Sequence, residues 1–316
     1  MADVDTLYIV VPCYNEEAVL PETGRRLVEK LGRLTHDQMV SEKSRIVFVD
    51  DGSRDSTWKW IAQLHNEHAC ISGIRLSCNK GHQNALLAGL STVKDEADMV
   101  ITLDADLQDD IDAIDEFVKK YNEGCDIVYG VRSSRTTDTF FKRRTALLFY
   151  RLMQTLGVDI IYNHADYRLM SRRSIEALMQ FKEVNLFLRG IVPLIGYRSA
   201  VVEYERHERF AGESKYPLRK MLAFALEGVT SFSVKPIRLI AAAGFLIFSV
   251  SILMLIYFLV LFLLGKTVAG WTSIVISIWA IGGLQILSVG IIGEYIGKIY
   301  LETKGRPKFF VEQYLK

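Results

Sequence analysis

VITLDADLQD, residues 100–109, carries an apolar run into a pair of aspartates one residue apart. Side chains alternate faces along a strand, but at a strand end the chain can turn, letting Asp104 and Asp106 converge on one hard cation. Magnesium or manganese held this way keeps coordination positions open for substrate oxygens such as those of a diphosphate. A polar strand end in which Asp106 or Asp109 caps a helix from near Ile111 accounts for the same residues without a metal. An EF-hand loop does not. Asp104, Asp106 and Gln108 alternate as that loop requires, yet Asp109 stands where its sharp turn needs glycine.

Outward from this stretch, residues 7 to about 130 alternate β-rich runs with helical patterns. Strands are expected at 7–11, 45–49, 71–76, 99–103 and 126–129, and helices at 18–34, 56–67, 82–92 and 111–123. That is the rhythm of an α/β domain with a mostly parallel, doubly wound sheet. Such sheets bind ligands beyond the carboxyl ends of their strands. Three polar clusters fall there: Pro12 to Glu16, Asp50 to Ser53 and Asp104 to Asp106. No GxGxxG opens the first helix, which speaks against a dinucleotide site.

Further along, Leu239 to Leu264 and Thr267 to Gly293 are free of charge. At about 1.5 Å per helical residue the first is longer than the roughly 30 Å hydrocarbon core. Lys235 and Arg238 precede the pair, Lys298, Lys304, Arg306 and Lys308 follow it, and Lys266 lies between. By the positive-inside rule both flanks face the cytoplasm. The expected organisation is a cytoplasmic catalytic domain (1–214), a juxtamembrane amphipathic helix (215–234), two transmembrane helices at about 237–264 and 271–294, and a cytoplasmic tail (298–316). Residues 140–156 form another basic, aromatic amphipathic stretch.

Composition agrees. With 316 residues, 50% of them hydrophobic, and a formal charge of +1, the chain can bury a full core and has no basic bias toward nucleic acid. The four cysteines, Cys13, Cys70, Cys78 and Cys125, form no CxxC pair, so reduced thiols are expected.

Taken in order, VPCYNEE (11–17), VDDGSRDST (49–57), NKGHQNALLAGL (79–90), DADLQD (104–109), DYRLMSRR (166–173), RFAGESKY (209–216) and EYIGKIYLETKGRP (294–307) resemble the family 2 glycosyltransferases of GT-A fold. Within them the likeness is to the polyprenyl-phosphate group that includes dolichyl-phosphate mannose synthase and the bactoprenol glucosyltransferases. It covers nearly the whole chain. Processive polysaccharide synthases carry a QxxRW motif that is missing here.

The resemblance implies roles, each with a chemical reason. Asp50 matches the aspartate that recognises the nucleobase, since a carboxylate accepts an imide N–H. Pro12, Tyr14 and Glu16 match positions lining base and ribose. Asp104 and Asp106, with Gln108, match the site of a divalent cation, Mg2+ or Mn2+, that neutralises the departing nucleoside diphosphate. Arg132, Arg209 and Lys215 match basic positions around the diphosphate and the acceptor phosphate. Asp166 matches an aspartate near the sugar that is a candidate general base, although a phosphate acceptor already carrying about −1.5 to −2 charge needs little deprotonation. Lys80 and His82 read as shapers of the donor loop, and His65, His68 and His164 as structural.

The expected activity is inverting, metal-dependent transfer of one hexose from a nucleotide sugar to a polyprenyl phosphate at the cytoplasmic membrane face, with Asp166, Asp106 and Arg209 acting on the reacting groups. UDP-glucose is the first choice of donor, ahead of UDP-N-acetylglucosamine and GDP-mannose. The sequence leaves room for a homo-oligomer. It also leaves room for a membrane-anchored nucleotide-sugar sensor without turnover. Every donor-side motif precedes Phe232, so a chain ending there is expected to keep its donor site.

Overall fold

The computed structural model describes residues 4–133, 164–183, 188–205 and 271–316, with scattered positions from 237 to 264. Its strands are β1 (Leu7–Cys13), β2 (Arg45–Asp50), β3 (Ile71–Leu76), β4 (Met99–Thr102), β5 (Ile127–Arg132), β6 (His164–Ser171), β7 (Ser199–Tyr204) and β8 (Val311–Leu315). They form one eight-stranded sheet in the order β7-β5-β6-β4-β1-β2-β3-β8. β1 runs parallel to β2 and β4, β2 to β3, and β5 to β7. β6 is inserted antiparallel between β4 and β5, and β8 lies antiparallel on β3. The expected mostly parallel α/β sheet is present, in a GT-A-like arrangement.

Strands buried on both faces need uninterrupted apolar sequence, and LYIVVPC of β1 is buried at every position. Helices α1 (Leu20–His36), α2 (Thr57–Glu67), α3 (His82–Val93), α4 (Ile114–Asn122), α5 (Arg172–Met179) and α6 (Leu188–Leu194) accompany the sheet. α1 starts with Pro21 in its first turn and buries Leu20, Leu27, Leu31 and Leu34 at helical spacing. Each such leucine contributes about 1.5–3 kcal/mol relative to exposure. α1, α2 and α4 supply the layer that packs on Ile9, Val11, Ile46 and Phe48. α3 covers the other face, where Gly89 lets it come against Val10 and Val49.

Loops at the carboxyl ends of β1, β2 and β3 are laced together. Asn15 N–H donates to Ser53 Oγ, Asn15 Oδ1 accepts from Arg54 N, and Glu17 Oε2 accepts from Ser56 N. Both oxygens of buried Asp51 accept backbone N–H groups of the β3–α3 loop, from Lys80 at 2.7 Å and Gly81 at 2.8 Å. Gly52, at φ +66°, makes this approach feasible, since a Cβ there would lie 2.6 Å from Asn79 N. Lys80 thus helps to shape this loop through its backbone N–H.

Several elements depart from the sequence reading. The strand expected at 126–129 extends to Arg132, and β6, β7 and β8 were not anticipated. Residues 298–316 are not a separate tail: α7 (Trp271–Lys304) continues past residue 294, and β8 then joins the sheet. The helix continues because residues 295–304 contain no proline and include the good helix formers Lys298, Leu301, Glu302 and Lys304, and nothing obliges a helix to stop where apolar sequence ends. The chain divides into two compact units, one of residues 1–150, 159–216 and 305–316, the other of 151–158 and 217–304. In the second unit, α7 exposes Ile278, Ile286, Leu287 and Val289. Among the described residues one helix, Ile281–Lys304, is long and apolar enough to cross a membrane. The expected span at 237–264 lies mostly outside the described residues, as do both amphipathic stretches, 140–156 and 215–234.

Replacing Gly52 by alanine is expected to cost about 1–3 kcal/mol through the positive φ alone, with the backbone clash adding to it. Urea unfolding followed by tryptophan fluorescence measures the loss, and an unchanged midpoint would refute the role given to this turn.

Candidate active site

In-register pairing sets the polar clusters side by side. Cys13 pairs with Asp50, Asp50 with Arg75, and Thr102 with Arg168. β6 runs against its neighbours, so its first half arrives at the rim where the parallel strands end. Thr102 Oγ1 donates to Asp166 O at 2.5 Å, fixing the entry of β6 beside the Asp104 loop.

That loop is shaped from two sides. Thr23 Oγ1 of α1 donates to Ala105 O at 2.8 Å, and Leu107 adopts φ 57°. Burial alternates: Leu103, Ala105, Leu107 and Asp109 are buried, whereas Asp104, Asp106 and Gln108 are half-buried on the open side. The capping explanation for Asp106 and Asp109 gives way, because Asp110 caps the turn, its Oδ1 accepting Asp112 N–H at 2.9 Å. Asp109 instead accepts from Tyr204 Oη at 2.5 Å and lies 3.4 Å from Arg132 Nη2. Arg132 is thereby braced at the end of β5.

Asp166 is enclosed by cations. Arg168 Nη2 donates to its Oδ1 at 2.6 Å, Arg189 Nη2 to its Oδ2 at 3.0 Å, and His82 Nε2 stands 3.6 Å away. The same imidazole nitrogen is 3.5 Å from Asp104 Oδ1, so His82 bridges the two carboxylates. Gln83 Oε1 accepts Leu188 N–H at 2.9 Å, tying the start of α3 to that of α6 and holding His82 and Arg189 in one place.

Two carboxylates of the same type are driven apart by these surroundings. Burial opposes ionisation of Asp166, but Arg189, His82 and Arg168 hold it well below the usual carboxylate range. A group so held accepts protons poorly near neutral pH, which argues against a general base and for an orienting role. Asp104 is pushed up to about 6, first by burial and then by Asp109, Asp166 and Asp106, with His82 opposing. A divalent cation fits this crowd. It would neutralise carboxylates that now repel one another, and Asp104, Asp106 and Gln108 present oxygens on the open side. No three His, Cys, Asp or Glu side chains form a metal cage among the described residues, so substrate and water oxygens would complete the shell.

The other expected residues divide cleanly. Pro12 is buried at the end of β1, Tyr14 is exposed beyond it, and Glu16 is half-buried with its N–H donating to Thr57 Oγ1. Asp50 is fully buried; its Oδ1 accepts Ser53 N–H at 3.0 Å while Oδ2 has no hydrogen-bond partner. Arg209 and Lys215 lie outside the described residues, as do Arg206, Gly212 and Glu213. Arg75, Arg168, Arg189 and Tyr204 lie among the candidate site residues although the sequence reading did not single them out, and Asp109, read there only as a possible helix cap, lies with them. Arg168 could have been found, since it lies two residues from Asp166 on a strand and shares its face; Arg189 carried no such signal. His65 is structural as read, its Nδ1 lying 2.6 Å from Ile71 O.

The model of glycosyl transferase family 2 matches residues 8–179. This chain belongs to that family. Uncharacterized glycosyltransferase YkoT of Bacillus subtilis (strain 168) is 57% identical over 97% of this chain and 91% of its own length. Bactoprenol glucosyl transferase of Shigella phage SfX is 38% identical, covering 96% of this chain and 98% of its own. Among solved structures, mannosyltransferase PcManGT from Pyrobaculum calidifontis, in complex with GDP-Man and Mn2+, is similar at a TM-score of 0.47 and 16% identity, covering 95% and 86% of the two chains. The chain is a glycosyltransferase, and the sensor without turnover is set aside.

Asp166→Asn is expected to lower stability by about 3–5 kcal/mol, because buried Arg168 loses its charge partner. The folded value of Asp166 is depressed, so its contribution is complete above the unfolded value of about 4 and is lost as pH falls through the folded one. His82, whose pKa Asp166 helps to raise, takes up its proton in the neutral range, so the gap between wild type and variant should hold or widen from about pH 8 to 5 and narrow only below about 4. Urea midpoints across that range test it; a gap closing near pH 6 would show that Asp166 titrates there.

Proposed function

We propose that this glycosyltransferase moves one hexose, with inversion, from a nucleotide sugar to a polyprenyl phosphate, and that UDP-glucose is the donor. The observation that carries the reading is the gathering of the Asp50, Asp104–Asp106 and Asp166 clusters at one sheet rim, in a chain whose near full-length relatives include bactoprenol glucosyl transferases.

Asp104 and Asp106, with Gln108, would hold Mg2+ or Mn2+, which supplies charge neutralisation for the departing diphosphate. Pro12, Tyr14, Glu16 and Asp50 would seat the nucleoside. Arg132, braced by Asp109 and Tyr204, would face the diphosphate, and Arg209 and Lys215 would draw the acceptor phosphate toward it. An acceptor phosphate oxygen forms the new bond to the anomeric carbon from the side opposite the nucleotide. The old carbon–oxygen pair departs with the β-phosphate. Asp166, fixed by two arginines, orients a sugar hydroxyl rather than taking a proton.

Connectivity supports a topology. Strands β1 to β7 precede the apolar segment and β8 follows it in the same sheet, which favours a reading in which both flanks lie on one side of a bilayer and the segment crosses it an even number of times. With Ile281–Lys304 as one span, the apolar run 237–264 would supply the second, and the arginine and lysine flanks favour a cytoplasmic catalytic unit.

A panel of UDP-glucose, UDP-N-acetylglucosamine and GDP-mannose with polyprenyl phosphate, read as lipid-linked sugar, should give product chiefly from the first. Asp104→Asn and Asp106→Asn should each lower turnover by about a hundredfold or more, as expected when several kcal/mol of leaving-group stabilisation are lost. Full wild-type activity in excess EDTA would sink the metal role.

Reporter fusions after Asp3 and after Lys316 should both read cytoplasmic, and one near Ala269 external. A cytoplasmic signal from Ala269 would refute the paired spans.

A further inference from the structure

β8 reaches the sheet on the side where the candidate site lies. Because it runs antiparallel to β3, its first residue, Val311, pairs with Leu76, and Ser77 N–H donates to Phe310 O at 3.0 Å. Glu312 is thereby delivered to the carboxyl end of β3, with its Oε2 3.6 Å from Arg75 Nε. On its other side Arg75 Nε is 3.7 Å from Oδ2 of Asp50, its partner in register. The guanidinium carbon sits 5.7 Å from the centroid of the Trp58 ring.

The distances matter because they are nearly equal and neither is a hydrogen bond. Arg75 Nε and Asp50 Oδ2 are both buried atoms without a hydrogen-bond partner. A buried donor and acceptor that face each other without a hydrogen bond are costly, so the arrangement calls for a ligand or a movement. Asp50 is entirely buried, whereas Arg75 is 37% exposed and Glu312 54% exposed. The guanidinium therefore has room to move outward, and Glu312 is the carboxylate that would receive it.

We propose that Glu312 is a positioning residue for the nucleotide donor: it is the alternative seat that draws Arg75 away from Asp50, leaving Asp50 Oδ2 to accept the base N–H. Without Glu312, Arg75 settles on Asp50 and occupies the acceptor that the base needs. The strand that follows the membrane segment is then part of the donor site, contrary to the expectation that a chain ending near Phe232 would keep that site. The proposal rests on reading Asp50 as the nucleobase acceptor.

The test uses full-length protein in detergent, with UDP and GDP titrations in Mn2+ and steady-state transfer kinetics. Glu312→Gln should raise the donor KM by about threefold to fivefold, the size of one partly exposed ion pair, with kcat unchanged. Glu312→Asp should restore most of the affinity, and Gln313→Ala, on the same strand, should leave it alone. In an Arg75→Ala background, Glu312→Gln should have no further effect, because Arg75 is the group through which it acts. A wild-type KM in Glu312→Gln, or an undiminished penalty in the Arg75→Ala background, would overturn the proposal. Wild-type protein that binds neither nucleotide would instead overturn the reading of Asp50, and the proposal with it.

Discussion

Several carboxylates crowded at one end of a sheet repel one another, and this fold holds them by giving each a different partner. Asp109 has a tyrosine hydroxyl and Arg132, Asp166 has Arg168 and Arg189, and Asp104 has the His82 imidazole. Asp106 accepts a backbone N–H of its own turn, from Gln108. Differences in partner become differences in chemistry. The carboxylate between arginines stays ionised and inert toward protons, while the one facing other carboxylates is raised and suited to a cation.

The cost of the arrangement is met by the sheet. Arg168 is almost wholly buried, and a buried ion pair of this kind is seldom a source of stability compared with apolar packing. Thr102 and the main chain of β4 fix β6 in register, and Phe117, Tyr167 and Tyr204 pack in sequence beneath the rim in tilted and edge-on contacts, with ring centroids 4.6 and 5.2 Å apart. Precise carboxylate geometry at the surface thus depends on aromatic packing below it.

Much of this was legible from sequence because its physics is local. A doubly buried strand must be continuously apolar, which is why β1 to β4 and α1 to α4 fall within a few residues of their expected places. β7 and β8, SAVVEY and VEQYL, are short and partly exposed, so their patterns differ little from those of loops. Near the Asp104 loop, Asp106, Asp109 and Asp110 are equally able to cap a turn, and only the three-dimensional path selects Asp110. DADLQD announced its carboxylates, whereas Arg189 reaches Asp166 solely through the docking of α6. Glu312 was hidden for a stronger reason, since nothing in a pentapeptide after an apolar helix announces pairing with a strand far upstream.

That pairing imposes an order on biosynthesis. During translation β3 emerges long before β8, and the whole apolar segment is made between them. At about 5–20 residues per second, β3 waits roughly 10–50 seconds with one row of backbone N–H and C=O groups unpaired. Such a row is a template for any other extended chain, including a second nascent copy. Completion of the catalytic sheet is therefore deferred until the apolar segment has left the ribosome, and early sequestration of that segment would leave β8 free to close the edge before β3 can mispair.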